Sequence, residues 1–150
     1  MLNGRNTVYS DEVIESNGFW GNIAIKEFQQ QRAIPLQIPL ELIKSSLIST
    51  MQTLEIELGD VVEKYKAQGI NSVDDVAGTK INGENAVKTL YKKALFAQAK
   101  HDILPEFETI ASRDLHEKRT DISEQKQLLT ESVQAIRTLK GKRRGTVWSI

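Results

Sequence analysis

The stretch from Glu84 to Leu104 constrains the fold more than any other part of this chain. At 100° per residue, one broad helical face carries Val87, Leu90, Tyr91, Ala94, Ala97 and His101. The opposite side of its second half carries Leu95, Phe96, Ala99 and Ile103. A helix that is apolar nearly all round lies inside a bundle or between subunits, whereas a surface helix has a single apolar stripe. We therefore predict a central helix, whose one polar edge consists of Lys88, Lys92, Lys93 and Lys100.

Three further helices are predicted to pack against this central helix. A long amphipathic helix is predicted from Leu40 to Tyr65, because apolar residues recur there at steps of three or four. Gly59 is a candidate bend within it, since an interior glycine costs about 1 kcal/mol relative to alanine. A short helix is predicted from Asn22, as N-cap, to Arg32.

The last helix is predicted to run to Lys140 from a capping box formed by Asp121 and Glu124. The predicted inner face of this helix consists of Ile122, Leu129, Val133 and Ile136, widened by Leu128, Ala135 and Leu139. Pro105 is expected to kink or end the central helix before it.

The segment between the two longest helices carries several turn signals. Residues 72–75 resemble the start of a helix with acidic residues in its first turn, enough for a single turn. Asn82-Gly83 is a turn dipeptide that would suit a hairpin if strands flanked it. Because the downstream side has a helical pattern, we predict a turn without a hairpin.

These elements predict an all-α fold, a helical bundle of three long helices and one short N-terminal helix. Extended tails flank the bundle: we expect an N-terminal arm over residues 1–21, the bundle over residues 22–141 and a C-terminal docking tail over residues 142–150. Near the end of the arm, Phe19 and Trp20 either pack the arm onto the helices or contact a partner subunit.

Composition excludes several classes of protein. The chain has no cysteine, so disulfides, thiolate catalysis and cysteine metal sites are excluded. No apolar run approaches the roughly 18 residues that span a bilayer. The net charge is zero, but residues 1–75 hold 6 Lys/Arg against 11 Asp/Glu and residues 76–150 hold 14 against 9. Such asymmetry is typical of a nucleic-acid surface, or of a subunit whose acidic half packs against a neighbour's basic half.

The sequence carries little that indicates catalysis. His116-Glu117 begins a helical zinc-protease pattern, but Thr120 stands where the second histidine is required. His101 lies on the inner face of the central helix, where a hydrogen-bonded core histidine is expected. No pair of nucleophile and base has a supporting spacing, so we predict no enzyme, no metal and no cofactor.

The C-terminal end is the most informative segment for function. Its basic cluster, which continues from the last helix, consists of Arg137, Lys140, Lys142, Arg143 and Arg144. Val147, Trp148 and Ile150 follow, and apolar side chains on a free end gain nothing unless they are buried. They fold back onto the domain, enter a groove on another chain, or remain disordered. The cluster also permits a different class of protein, a small helical DNA-binding module whose affinity falls steeply with salt.

Three segments resemble the phage head completion protein (L family) of Peduovirus-type contractile-tailed phages. They are Ile81-Asn82-Gly83-Glu84-Asn85, Tyr91-Lys92-Lys93-Ala94-Leu95 and the ending from Gly141 to Ile150. Order, spacing and length agree from about Phe19 to the C-terminus. The chain departs where family members tend to have aromatic-aromatic-Pro-Asp, since Gly21-Asn22 follows Phe19-Trp20 here.

This resemblance implies a non-enzymatic virion protein, made in the host cytoplasm, that completes the head after DNA packaging and binds the portal. By analogy with head–tail adaptors it implies a twelve-membered ring that presents a surface to a downstream stopper or tail-completion protein, with possible channel contacts to packaged DNA and no membrane. The portal-docking residues would be Lys142, Arg143, Arg144, Val147, Trp148 and Ile150. Candidates for the contact between subunits are Leu95, Phe96, Ala99 and Ile103, unless these are simply core.

Overall fold

The structure is a computed structural model that describes residues 8–110 and 117–141. The described strands are β1 (Val13–Ile14), β2 (Ile23–Ala24), β3 (Lys80–Ile81) and β4 (Glu84–Asn85). The described α-helices are α1 (Ile25–Gln31), α2 (Leu40–Glu57), α3 (Gly59–Ala67), α4 (Ala86–Ile110) and α5 (Glu117–Leu139). A 3₁₀ turn lies at Val73–Asp75. There, the hydroxyl of Ser72 accepts a hydrogen bond from the amide of Asp74, as the sequence predicted for a single turn.

Helix α4 occupies the centre of the molecule, as its all-round apolar pattern predicted. Both α2 and α5 pack on it, and α5 makes the more extensive contact. The side chains of Tyr91, Leu95 and Phe96 are at most 2% exposed. The ring of Phe96 lies 5.4 Å from that of Phe28 on α1, so α1 is also anchored to the central helix.

The prediction of an all-α fold is wrong, because two small antiparallel sheets accompany the helices. In the first sheet, β1 pairs with β2, with Val13 opposite Ala24 and Ile14 opposite Ile23. In the second, β3 pairs with β4 across the Asn82-Gly83 turn. The fold of the described residues is therefore mixed, with helices predominating.

The second sheet is the hairpin that the sequence argument rejected. Asn82 and Gly83 both have positive φ, 52° and 82°, as a two-residue hairpin turn with the twist of its strands requires. The helical pattern downstream was read correctly, but α4 begins only at Ala86. Two residues, Glu84 and Asn85, remain to pair with the preceding strand before the helix starts.

Several predicted helix boundaries also move. The long second helix is divided at Leu58 into α2 and α3, one residue before the predicted bend at Gly59. Helix α4 continues through Pro105 to Ile110. Buried Ile103 and Leu104 hold this part of the helix against its neighbours, so packing outweighs the hydrogen bond lost at the proline. Helix α5 already contains Asp121, so the predicted capping box does not start it.

The described part of the arm packs onto the helices. Phe19 and Trp20 are both buried, and the Trp20 ring stacks on that of Tyr91 with their centroids 4.5 Å apart. Phe19 stacks on Tyr65 of α3 at 5.6 Å. Of the two roles considered for this aromatic pair, the structure shows the one within the subunit.

Helix α5 is rotated relative to its predicted orientation. Leu128, Ser132 and Ala135 are buried against α4. Leu129 and Val133, which the sequence placed on the inner face, are 44% and 47% exposed, so this assignment was wrong. Leu128, Ser132 and Ala135 therefore mark the side of α5 that faces the interior of the subunit.

Candidate interaction surfaces

The lysines on the predicted polar edge of α4 serve mostly to hold the subunit together. Lys92 lies between two carboxylates, with its ammonium 2.8 Å from Glu27 on α1 and also paired with Glu84 on β4. Lys88 donates to the carbonyl oxygens of Trp20 and Asn22. These contacts tie the arm, α1 and the second hairpin to the central helix.

The pKa values of these groups reflect their burial and their partners. Burial lowers the pKa of Lys88, and the neighbouring Lys92 lowers it further. Burial also opposes the charge of Lys92, but its hydrogen bonds to Glu27 and Glu84 outweigh that effect and raise its pKa. The pKa of Glu84 is lowered, because hydrogen bonds from Lys92 and Thr89 outweigh its desolvation. The charges of Lys92 and Glu84 are thus stabilised by their partners within the subunit.

A further lysine of this edge fixes α5. The ammonium of Lys100 lies 2.9 Å from the carboxylate of Glu124 and donates to the carbonyl oxygen of Arg32 at 2.8 Å. Arg32 in turn makes a bidentate pair with Glu131 of α5. Among the four lysines of this edge, Lys93 is the exposed one.

The residues proposed for contact between subunits lie in the interior of this subunit. Leu95, Phe96, Ala99 and Ile103 are at most 2% exposed in the described structure. A second subunit could reach them only if α4 lost its contacts with α1, α2 or α5. In the described structure, surfaces available to other molecules therefore lie elsewhere on the subunit.

An open groove runs between the arm and the outer side of α2. We call it the arm groove; its volume is about 420 Å³ and its walls are formed by residues 14–18 of the arm and by Ile48, Met51, Gln52 and Glu55. Ile14, Ile48 and Met51 give it an apolar interior, and Glu15 and Glu55 place carboxylates at its rim. No cation is among the residues that line it. Sequence alone could not reveal this groove, because it joins segments more than thirty residues apart.

The α5 ridge is the outward stripe formed by Lys126, Leu129, Val133 and Arg137. These residues follow one another at spacings of three, four and four, so they share one side of the helix. A cleft of about 390 Å³ lies along Leu129, Val133 and Arg137. The ridge thus presents two apolar side chains beside the exposed cation of Lys126, while Arg137 at its other end is partly buried and makes contacts of its own.

A third open cavity lies where the described chain ends. Its volume is about 510 Å³, and it is lined by residues of α3, among them Asp60, Val61 and Tyr65, and by residues 138–141 at the end of α5. Beside it, Lys140 pairs with Glu57 of α2. The six predicted docking residues, from Lys142 to Ile150, lie outside the described residues.

The described side chains contain no group of three or more histidines or acidic residues placed to hold a metal. His101 is partly exposed, and its Nδ1 lies 2.9 Å from the carboxylate of Asp102. His116 lies outside the described residues. No helix of the described structure is both long enough and apolar enough to cross a membrane.

Comparison with known proteins decides the family. A family model described as phage head completion protein (GPL) matches residues 14–150. The chain belongs to the phage head completion protein family. It is also 52% identical over 148 residues to the probable head completion/stabilization protein of Haemophilus phage HP1 (strain HP1c1), a match that covers 99% of each chain. No solved structure matches it.

Membership confirms the resemblance seen in the sequence and gives the protein a structural role in the phage head. A head completion protein is a virion component, and completing a head implies contacts with other head or tail proteins. Such contacts require surfaces that the subunit does not use for its own folding. In the described residues, the arm groove, the α5 ridge and the cavity beside Gly141 meet that requirement.

Proposed function

We propose that this head completion protein is a non-enzymatic head–tail adaptor that binds the portal through residues 142–150. In this proposal twelve copies form a ring on the portal vertex after DNA packaging. The ring then presents the surface to which a stopper or tail-completion protein attaches. The observation that carries the proposal is the C-terminal ending of this chain, within the region that the family model matches, where three cations are followed by three apolar side chains.

The chemistry of this ending supports docking to another protein. Burying a large apolar side chain contributes about 1.5–3 kcal/mol, so Val147, Trp148 and Ile150 could anchor a segment only nine residues long. An extended segment can add main-chain hydrogen bonds by joining the edge of a partner's sheet. Lys142, Arg143 and Arg144 would meet an acidic surface on the portal.

The position of α5 supports the same proposal. Ion pairs to Arg32 and Lys100 hold α5 against the body of the subunit, and Lys140 adds a pair with Glu57 at its end. The docking segment begins two residues later. A docking segment that is attached to a firmly held helix can transmit force from the portal to the body of the adaptor.

The alternative, a DNA-binding module, receives less support from the described residues. Lys140, one of the five cations of the proposed basic cluster, is already paired with Glu57. A DNA-binding surface gains affinity by releasing counterions from phosphates, which needs cations that are not neutralised by the protein itself. Contacts to DNA in the channel would then be a secondary property of the ring.

Deletion of residues 142–150 tests the proposal. The helical circular dichroism signal should be unchanged, and binding to the purified portal, measured by sedimentation, should be lost. Binding equal to that of the full chain would contradict docking by this segment. The DNA-binding module would instead be favoured if the full chain bound duplex DNA, if this binding weakened steeply between low and high salt, and if the deletion removed it.

Two triple variants separate the contributions to docking. Replacing Val147, Trp148 and Ile150 by serine should reduce portal affinity at every salt concentration. Replacing Lys142, Arg143 and Arg144 by alanine should reduce it mainly at low salt, because salt screens exposed charges. If neither variant differs from the parent chain, the anchor lies elsewhere in the protein.

A further inference from the structure

The outer faces of α2 and α5 carry two apolar surfaces that the subunit leaves uncovered. Ile48, in the wall of the arm groove, is 46% exposed, about as much as Leu129 and Val133 on the α5 ridge. Single exposed apolar residues are common on proteins and need no explanation. Here, however, the exposed apolar residues are part of larger features: Ile48 lies in the wall of the arm groove, and Leu129 and Val133 lie on the α5 ridge.

The two surfaces have opposite charge. The arm groove is lined by the carboxylates of Glu15 and Glu55 and by no cation. On the α5 ridge, the exposed cation of Lys126 stands at one end of the apolar pair. A charged rim around an apolar centre favours a partner of opposite charge and suppresses contact between like surfaces.

The two surfaces cannot meet within one subunit. The groove includes the outward side of α2, and the ridge is on the outward side of α5. The inner sides of both helices pack on α4, where Leu47 and Ala135 are at most 3% exposed. Since α4 lies between the two surfaces, the arm groove and the α5 ridge can contact each other only when they belong to different molecules.

We propose that the α5 ridge of one copy of this chain docks into the arm groove of a second copy. Leu129 and Val133 enter the groove beside Ile48 and Met51, while Lys126 faces Glu15 or Glu55 across the rim. The inference deepens the proposed ring and rests on that proposed function for its biological setting. The proposed contact between subunits thus consists of accessible residues of the arm groove and the α5 ridge, instead of the buried face of α4.

This contact joins different surfaces of the two copies, so it is heterologous. Each copy keeps a free groove at one end and a free ridge at the other, and addition of copies continues until the rotation closes a ring. Two like surfaces, ridge on ridge or groove on groove, would bring like charges together. A closed dimer through either surface alone is therefore disfavoured.

Cysteine cross-linking tests the contact directly, because the natural chain has no cysteine. Full-length Ile48→Cys and Leu129→Cys proteins, one of them carrying a size tag, are mixed under mild oxidation, alone at high concentration and with the portal. A disulfide forms only when the two Cα atoms come within about 7 Å. The expected product is the mixed dimer, and a chain with both substitutions should give a ladder of covalent oligomers.

Ile81→Cys is the matched control, since Ile81 on β3 is 71% exposed but is not among the residues that form either surface. Paired with either test protein, it should give only the background yield. A mixed dimer of Ile48→Cys and Leu129→Cys that does not exceed this background, with and without the portal, would overturn the proposal. Predominant Leu129→Cys homodimers would also overturn it, because they indicate contact of ridge with ridge.

Charge reversal provides a second measurement that does not depend on cysteine chemistry. Glu55→Lys or Lys126→Glu, each introduced beside the cross-linking pair, should lower the mixed-dimer yield about five-fold, as expected for one rim charge pair. Combining them on opposite partners should restore the yield. Glu15→Lys is combined with Lys126→Glu in the same way, and loss without restoration by either acidic-to-lysine change would reject this register of docking.

The outcomes also separate this inference from the proposed function. Deletion of residues 142–150 should abolish portal binding and leave the cross-link intact. A cross-link without portal binding supports the contact between copies but contradicts the adaptor. Portal binding without the cross-link supports the adaptor and rejects this contact.

Discussion

Helices α4 and α5 are similar in length, 25 and 23 residues, but they use their side chains in opposite ways. Helix α4 buries most of its described apolar side chains, and it also directs the ammonium groups of Lys88 and Lys92 into the subunit. Helix α5 packs through Leu128, Ser132 and Ala135 and leaves Leu129 and Val133 partly exposed. Hydrophobic content alone therefore does not identify a binding surface. The deciding factor is which neighbours already cover each face.

The sequence interpretation left the role of the second half of α4 open. It offered Leu95, Phe96, Ala99 and Ile103 either as core or as a contact with another subunit, and it placed Leu129 and Val133 in the core. The structure buries the first set and exposes the pair. Four substitutions distinguish inward-facing from outward-facing side chains, with expected losses of stability that decrease from α4 to the α5 ridge.

Phe96→Ala should destabilise the protein by about 3–5 kcal/mol, the usual cost of removing a buried phenylalanine. Phe96 is fully buried against Phe28, so its loss leaves a cavity between α4 and α1. Chemical denaturation followed by circular dichroism measures the change. A loss below about 1 kcal/mol would mean that α4 is not packed inside the subunit and would reopen its role as a contact surface.

Lys92→Ala should cost about 2–3 kcal/mol, because it removes charge-assisted hydrogen bonds and leaves the carboxylates of Glu27 and Glu84 close together without their shared cation. Lys126→Ala on α5 is the matched control and should change stability by less than about 0.5 kcal/mol. Equal effects in the two variants would remove the distinction between inward and outward lysines.

Glu131→Gln should weaken the attachment of α5 in a pH-dependent way. The hydrogen bonds from Arg32 lower the pKa of Glu131, so the pair stabilises the fold at pH values above the carboxyl's ordinary pKa in the unfolded chain. This contribution is lost as the pH falls through the lower pKa of the folded state. The variant should be about 0.5–1 kcal/mol less stable than the parent near neutral pH, since the pair is partly exposed.

The difference in stability between Glu131→Gln and the parent should shrink when the same denaturation is repeated at about pH 3. Glu55→Gln, on the outer side of α2, provides the control near neutral pH and should cost less than about 0.5 kcal/mol. A difference that stays constant across the acid range would show that the ionised Glu131 is not what holds α5 through Arg32.

Replacing both Leu129 and Val133 by serine should have the smallest effect on stability, about 0.5 kcal/mol or less, because both residues are nearly half exposed. The thermal midpoint of the full chain measures this directly. The same change should reduce the proposed association between copies. A loss of several kcal/mol would indicate that the ridge is core after all.

Local patterns predicted the order of the main helices and the central place of α4, because a helix apolar on most sides has no stable position except the interior. They missed the first sheet, since a strand of two residues has no periodicity to detect. They rejected the second sheet although its Asn-Gly turn was recognised, because the start of α4 was placed two residues too early. The arm groove had no signal at all, since its walls come from distant segments.

The sequence by itself determined the family, the central helix and the basic-then-apolar C-terminal ending, because each is written in residues that are neighbours along the chain or along one helix. Only the tertiary structure decided which apolar residues remain available to another molecule. That choice depends on the rotation of α5 about its axis, which turns Leu128, Ser132 and Ala135 toward the interior of the subunit. The exposure of a helix face depends on which neighbouring elements cover it, and the residues of those elements lie far away in the sequence.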